Sequence, residues 1–509
     1  MKREGRSLVW LCTTISVLLF AEGIWRLADP GVGVDNVASS SFQGANFILF
    51  CVFGLCCLYW PEKPAPSASK DEEPAAGEKG VVGLDVETPA ANGEGAERCK
   101  EEDAPGAKPP KRQITYLTNL KTFLTFIVVT HHTVGQFTRP VGAGLSTVAA
   151  NFLSPDLQPK SSFLTGGSWF QSVDQAYFMA TFFFISAYFC PRSLDRKGFK
   201  KFVIDKIVRL GGPFVLYSAF LGPLLFLMCQ AYAGQPLSYS YNTGPTWFIL
   251  WLLNFSIAYA VIAQFAPTLK LGMPHPFVLL AIGAALCGVF YGMTVALGGS
   301  AYAPTAWNYF GSMVFWAYGL AMYIPFFAAG VLAGRNDWLK GVEEMQTWVA
   351  WTLRVVCVGF WTLVFLMTAE YAIPIPSIEA KQWELVMNLI PPVYAVAMTL
   401  AIMQLFHQYF NAQSSLMRWA GPTAYIVYAI HFWPMNLVMI TFIEIIKAAG
   451  VPVVFEGLVF FSTTADGERS LLPEACIWGG WVMLFVLTQL VVWPLGFYAR
   501  KAPVLDMMF

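Results

Sequence analysis

Apolar runs of about 20 residues recur along this chain from one end to the other. A run of that length forms an α-helix about 30 Å long, which matches the hydrocarbon thickness of a lipid bilayer. Hydrophobic residues make up 56% of the sequence and charged residues 13%, and the mean hydropathy is +0.53. Soluble domains usually carry about 25% charged residues. The sequence therefore argues against a soluble protein and predicts an all-α fold, a polytopic transmembrane helix bundle.

Twelve runs are predicted to span the membrane, in two groups separated by a linker. The first two, at about 7–28 and 42–60, form an N-terminal two-helix hairpin within residues 1–60. Residues 61–113 are rich in Pro, Gly, Ala and acidic side chains, so we expect a disordered cytoplasmic linker. A ten-span body at 114–501 and a cytoplasmic tail at 502–509 follow. The ten spans lie at about 117–137, 171–190, 212–233, 246–266, 276–298, 313–333, 351–372, 388–410, 420–446 and 475–498.

The first run admits a second interpretation, because Lys2, Arg3 and Arg6 precede it as they would in a cleaved signal peptide. Its length, extending to Ala28, and the lack of a small-x-small cleavage pattern favour an uncleaved helix. The first run is therefore counted as a membrane span.

Lys and Arg side chains predict the orientation, because cytoplasmic connections are enriched in them. With the N-terminus in the cytoplasm, the connections after even-numbered spans are cytoplasmic. These connections hold Arg192, Arg196, Lys197, Lys200, Lys201, Lys206, Arg209, Arg335, Lys340, Arg418, Arg500 and Lys501. The opposite connections hold few, such as Arg139, Lys160, Lys381 and Arg469. We expect an integral, multi-pass protein with both termini in the cytoplasm.

Three of the five histidines are candidates, His131 and His132 in the third predicted span and His431 in the eleventh, whereas His275 and His407 lie near span ends. Imidazole within a membrane is costly unless it faces protein or water, so such residues are candidates for function. A hydrogen bond between packed helices is the alternative role for each of them. That role fits His131 better, because it points about 100° away from His132 around the helix.

Lys121 stands eleven residues before His132. Eleven residues bring a helix back to within about 20° of the same face, about 16 Å along the axis. The spacing places a cation at the cytoplasmic mouth and a titratable base deeper in the membrane. Ordinary snorkelling of a flanking lysine is the alternative for Lys121. Lys206 and Arg209, three residues apart, form a second candidate pair of cations that is suited to phosphates, although positive charge in this loop also sets topology.

Motifs of soluble enzymes are missing from the sequence. There is no GxSxG, no GxxxxGK[ST], no HExxH and no GxGxxG after a strand pattern. The ten cysteines are scattered without a CxxC pair, so we expect neither a metal site nor a disulfide framework. The formal net charge is zero, which gives no indication of a nucleic-acid partner.

The segment ITYLTNLK at 114–121, continuing to VVTHH at 128–132, resembles the opening signature of the acyltransferase-3 family of multi-pass membrane acyltransferases. In that signature an Arg is followed eleven residues later by a His that closes an apolar helix. His132 takes the place of the family's catalytic histidine. The sequence departs from the signature at Thr118, where the family usually has Asp, and at Lys121, where it has Arg.

Four further segments resemble the family in the same order along the chain. FFFISAYF at 182–189 is similar to its Phe-Phe-x-x-Ser-Gly-Tyr helix, with Ala187 in place of Gly, and Lys206 and Arg209 stand where it has an Arg-x-x-Arg pair. GPTWF at 244–248 resembles a Leu-Trp-Phe helix start, and TAYIVYAIH at 423–431 a Tyr-x-x-Tyr-x-x-His helix. The resemblance covers roughly 114–498 and leaves out the N-terminal hairpin and linker.

The resemblance implies a ten-helix fold, an acyl-CoA co-substrate, an acceptor hydroxyl or amine, and no tightly bound cofactor. We expect acetyl transfer from cytosolic acetyl-CoA to a carbohydrate, lipid or small molecule. His132 is the expected general base, since an unperturbed imidazole has a pKa of about 6.5. Lys121, Lys206 and Arg209 are the expected CoA-binding residues. Catalytic support or acceptor binding is expected from His431, His131, Tyr425 and Tyr428.

Two alternatives remain open at this point. Twelve spans with both ends inside is also a common plan for secondary transporters. That plan predicts a long loop between spans six and seven, whereas the long loop here follows span two, and no repeat relates the two halves. The other alternative is a family-like scaffold without catalysis, which the departures at Thr118 and Lys121 suggest.

Overall fold

The computed structural model describes residues 114–138, 144–147, 161–296, 319–370 and 390–509. The predicted hairpin, with spans 7–28 and 42–60, and the linker 61–113 lie outside these residues. Within them the chain is mostly helical, and helices overlap all ten spans predicted for the body.

The first half of the described chain contains nine α-helices and one short strand. They are α1 (Thr115–Thr138), β1 (Ser146–Thr147), α2 (Ser162–Gln175), α3 (Phe178–Tyr188), α4 (Cys190–Lys197), α5 (Phe199–Lys206), α6 (Gly212–Leu216), α7 (Gly222–Tyr232), α8 (Trp247–Phe265) and α9 (Pro276–Ala296). Two π-helical turns, Ile207–Gly211 and Tyr217–Leu221, join α5, α6 and α7 into one continuous helix.

The second half contains the remaining helices and three strands. They are α10 (Ile324–Asn336), α11 (Leu339–Glu343), α12 (Thr347–Glu370), α13 (Pro391–Tyr409), α14 (Ser415–Ala420), α15 (Ala424–Ile430), α16 (Phe432–Ala448), β2 (Val454–Glu456), β3 (Val459–Thr463), β4 (Arg469–Ser470), α17 (Glu474–Ala499) and α18 (Pro503–Met508). A π-helical turn, Gly319–Tyr323, leads directly into α10.

Five helices of the described ranges are long and apolar enough to cross a membrane. They are Phe199–Tyr232, Gly244–Phe265, Pro276–Thr294, Thr347–Leu366 and Glu474–Ala499. The pair α15 and α16, which is bent by 51°, would be a sixth span if its two parts are counted together. The chain is therefore a multi-pass membrane protein, and the number of ten spans for its body stays a prediction.

Helix α1 lies inside the bundle, where it contacts α2, α3, α13, α15 and α17. Several of its threonine hydroxyls donate to backbone carbonyls three or four residues earlier in the helix. They are those of Thr122, Thr125, Thr130 and Thr133. Because protein surrounds α1, it can carry polar side chains that would be costly on a helix facing lipid.

Close packing of α3 against α10 depends on two glycines four residues apart. Gly330 lies against the backbone carbonyl of Phe184, and Gly334 lies against that of Tyr188. A Cβ at either position would overlap the carbonyl oxygen. Small residues at this spacing commonly allow membrane helices to approach closely.

A small four-stranded sheet lies in the connections of the bundle, and the all-α prediction did not include it. β1 pairs with β3 in parallel, Ser146 opposite Val459, while β2 and β4 pair with β3 in antiparallel fashion. The backbone N–H of Leu145, just before β1, donates to Oδ1 of the fully buried Asn436 in α16 at 2.8 Å. The sheet is thereby tied to α16, close to where α1 ends.

Candidate active site

Helix α1 is continuous from Thr115 to Thr138, so the spacing of Lys121 and His132 has the predicted consequence. The two side chains share a face, with about 16 Å of axial rise between them. Both are half-buried. Gln136 lies one turn beyond His132 on this face and is fully buried.

His431 lies where α15 meets α16, at the 51° bend. Pro434 explains why the bend occurs here. Proline has no N–H to donate to the carbonyl of Ile430, four residues earlier, and its ring clashes with that carbonyl. The sequence predicted a single span, 420–446, around His431 and did not predict the bend.

The rings of His132 and His431 lie side by side, with 5.1 Å between their centroids and 37° between their planes. Phe432 packs edge-on against both rings, at 4.8 Å from His132 and 4.7 Å from His431. His431 is fully buried. The bend therefore brings a second imidazole beside His132 in an apolar setting from which bulk water is largely excluded.

One hydrogen bond defines the tautomer of His431. Its Nδ1 lies 2.8 Å from the backbone carbonyl of Tyr428. A carbonyl oxygen can only accept, so Nδ1 carries the proton and, in the neutral ring, Nε2 carries the lone pair. Nε2 of His431 and Nδ1 of His132 are both buried and have no hydrogen-bond partner in the described part of the chain.

His131 forms a pair that the sequence analysis did not predict. Its Nδ1 lies 2.8 Å from Oδ1 of Asp174 in α2, and both side chains are buried. Phe178 packs against the His131 ring at 5.4 Å between centroids. A signal for Asp174 was present, since it is a carboxylate inside predicted span 171–190. Its partner could not be read from the sequence, because the two residues meet only through the packing of α1 on α2.

Positive charge gathers at the Lys121 end of α1. Lys121 and Arg209 are close enough for their charges to interact, and the ammonium of Lys121 lies 5.3 Å from the centroid of the Phe189 ring. Two like charges held near each other favour an anion between or beside them. The Lys206 ammonium instead lies over the ring of Phe202, one turn earlier in α5, at 5.3 Å. Its role in anion binding stays a prediction.

The hydroxyl of Tyr425 supports the π-helical turn that carries Arg209. The Tyr425 hydroxyl donates to the Arg209 carbonyl, inside this turn, at 2.8 Å. The second π-helical turn has a similar contact, in which the carbonyl of Ala219 accepts from the Tyr239 hydroxyl. Tyr428 donates to the carbonyl of Pro245. In this structure both candidate tyrosines thus use their hydroxyl hydrogens on backbone carbonyls.

The C-terminal helix α18 packs against the same π-helical turn. Met508 lies against Gly212, and the ring of Phe509 lies 4.9 Å from that of Tyr425. Arg209 makes a long contact of 3.5 Å with the backbone oxygen of Phe509. The predicted tail at 502–509 is therefore part of the packed structure beside Arg209.

The structure brings the sequence-predicted residues together in two groups. His132, His431 and His131 form one, with 5.4 Å between the ring centroids of the adjacent His131 and His132. Lys121 and Arg209 form the other, and the Tyr425 hydroxyl donates a hydrogen bond to the Arg209 carbonyl. Positive charge at one end of α1 and imidazole rings about 16 Å along the same helix thus form two chemically distinct groups.

Comparison with known proteins gives the family. Residues 114–497 match the acyltransferase-3 family, described as an acyltransferase domain, and the match begins before α1 and extends into α17. No curated protein and no solved structure matches the chain. The family match covers both groups of candidate residues and confirms the resemblance seen in the sequence. The chain therefore belongs to the acyltransferase-3 family and is a membrane acyltransferase.

Proposed function

We propose that this enzyme moves an acetyl group from cytosolic acetyl-CoA to a hydroxyl or amine of an acceptor, with His132 as general base. One observation carries the proposal: Nδ1 of His132 and Nε2 of His431 are buried side by side without partners in the described chain. Buried polar atoms are nearly always hydrogen-bonded, so two exceptions on neighbouring titratable rings are candidates for binding a substrate or a proton.

The two unpartnered atoms are complementary. His431 presents the lone pair of Nε2, since its Nδ1–H is held by the Tyr428 carbonyl. In the working complex the Nδ1–H of His132 donates to that lone pair. This hydrogen bond selects the tautomer in which Nε2 of His132 is the base. His431 is in this account a positioning residue.

The transfer then proceeds without any further reactant. Nε2 of His132 removes the proton of the acceptor hydroxyl as its oxygen attacks the carbonyl carbon of the thioester. The new C–O bond forms, the C–S bond breaks, and the sulfur of CoA leaves with the electron pair. The His132 imidazolium returns its proton to that sulfur, which gives free CoA and neutral His132.

Lys121 and Arg209, the cationic cluster, would bind the acyl donor. CoA carries phosphates, and Arg209 adds its charge to that of Lys121, which lies on the face of α1 that leads to His132. The distribution of Lys and Arg supports a cytoplasmic location for this end, with both termini on the same side. The acceptor, a carbohydrate, a lipid or a small molecule, approaches His132 from the Gln136 end.

The test measures CoA release and product formation by purified protein in liposomes with radiolabelled acetyl-CoA and a panel of acceptors. His132→Ala should lower transfer about 10²- to 10⁴-fold, the usual contribution of a general base. His275→Ala is the matched control, because His275 is exposed and lies outside both residue groups. Equal turnover by His132→Ala and the parent would refute the assignment. Solute flux without any CoA release would favour the secondary transporter.

A further inference from the structure

Gln136 has an unusual environment for a buried side chain. It is fully buried one turn beyond His132, yet its Oε1 has no hydrogen-bond partner among the residues that the structure describes. A buried acceptor without a donor is destabilising, and proteins rarely leave one open. An open carboxamide oxygen one helical turn from His132 therefore indicates that a group outside the described chain donates to it.

The orientation of the carboxamide follows from its neighbour. Nε2 of Gln136 points at the sulfur of Met435, 4.0 Å away. Sulfur is a weak acceptor and has no hydrogen to donate in methionine, so it pairs with the NH₂ group and not with the oxygen. Met435 lies one turn beyond His431 in the chain, and its N–H donates to the His431 carbonyl. The Gln136–Met435 contact thus continues the His132–His431 contact by one turn.

We propose that Oε1 of Gln136 accepts a hydrogen bond from the acceptor substrate while the reacting hydroxyl or amine faces His132. This inference rests on the function proposed above. Gln136 lies on the side of His132 away from Lys121, so it contacts the acceptor and not acetyl-CoA. The axial rise from His132 to Gln136 is about 6 Å. The group that binds Gln136 is therefore a second donor of the acceptor, as in a diol or an amino alcohol.

The stability of a Gln136 variant distinguishes acceptor binding from a purely structural role for this side chain. Methionine has a similar length and only a weakly accepting sulfur, so Gln136→Met removes an unsatisfied polar group from the protein interior. The variant should be as stable as the parent or more stable. If Gln136 were present to hold the helices together, the same change would lower the unfolding temperature.

The experiment compares two probe acceptors of matched size, propane-1,3-diol and propan-1-ol, with radiolabelled acetyl-CoA. The parent should use the diol with a kcat/KM about 10-fold higher, the value of one hydrogen bond. Gln136→Met should abolish this preference by lowering kcat/KM for the diol while kcat/KM for propan-1-ol stays the same. The KM for acetyl-CoA should be unchanged. Gln136→Glu should retain the preference, because a carboxyl group keeps an acceptor oxygen in either protonation state.

Each result decides between the two proposals. Loss of the preference in Gln136→Met, with an unchanged or raised unfolding temperature, supports the inference. A parent enzyme that uses both alcohols equally, or a Gln136→Met variant that keeps the preference, overturns the inference and leaves the proposed function standing. A parent enzyme that releases no CoA with any acceptor overturns the proposed function itself.

Discussion

His132 and His431 come from helices far apart in the sequence, and their rings lie 5.1 Å apart, each with one buried nitrogen that has no partner in the described chain. The contact depends on a bend of 51° immediately at His431. In a straight helix the side chain of His431 would point in a different direction from the one that brings it to His132. The backbone of this segment is therefore as much a part of the site as the imidazole.

We expect Pro434→Ala to lower transfer at least about 10-fold. The new N–H can donate to the Ile430 carbonyl, which favours a straighter helix and displaces the His431 ring; small misplacements of reacting groups are costly. Pro494→Ala in α17 is the matched control, since Pro494 is also inside a helix but is not next to either histidine. Rates of acetyl transfer for the two variants, at equal protein content, check the prediction. Equal rates would show that the bend does not position His431.

Removal of the Asp174 carboxylate should destabilise the protein. Asp174→Ala leaves Nδ1 of His131 buried without its partner, and we expect a loss of about 1–3 kcal/mol in the free energy of unfolding. Asp174→Asn keeps an acceptor oxygen and should lose less. Denaturant unfolding of both variants, of His131→Ala and of the double variant gives the coupling between the two residues. A coupling near zero would mean that the pair does not contribute to stability.

The sequence predicted correctly those features that depend on local periodicity. The eleven-residue spacing of Lys121 and His132 gave their common face, because α1 is a regular helix. Helices also overlap the ten spans expected in the body. The small sheet was not predicted, since strands of two to five residues in connecting segments have too few positions to show an alternating pattern.

Contacts between helices could not be predicted in the same way. Tyr425 was a candidate for catalytic support because of its hydroxyl group. Its actual partner is the Arg209 carbonyl, 216 residues away in the sequence, and only the tertiary packing brings the two together. Asp174 and Gln136 were missed for a related reason. A polar residue in an apolar helix shows that a partner is needed and does not show which residue or substrate provides it.

Charge removal at the Lys121 end should weaken binding of the donor. We expect Lys121→Met and Arg209→Met each to raise the KM for acetyl-CoA about 10-fold, in line with the loss of a charge-assisted hydrogen bond. Arg192→Met is the control, because Arg192 is exposed and paired with Asp337 at 3.1 Å. Initial rates over a range of acetyl-CoA concentrations give the KM values. An unchanged KM in both variants would place the phosphates elsewhere.

Tyr428→Phe separates the structural and chemical roles of this residue. The hydroxyl donates to the Pro245 carbonyl, whereas the group that holds His431 is the backbone carbonyl of Tyr428, which phenylalanine retains. We therefore expect the free energy of unfolding to fall by about 0.5–1.5 kcal/mol, the contribution of one hydrogen bond, with kcat within about two-fold of the parent. Denaturant unfolding and acetyl transfer are measured on the same preparation. A large loss of kcat at unchanged stability would mean that the Tyr428 hydroxyl acts on the substrate during turnover and leaves the Pro245 carbonyl to do so.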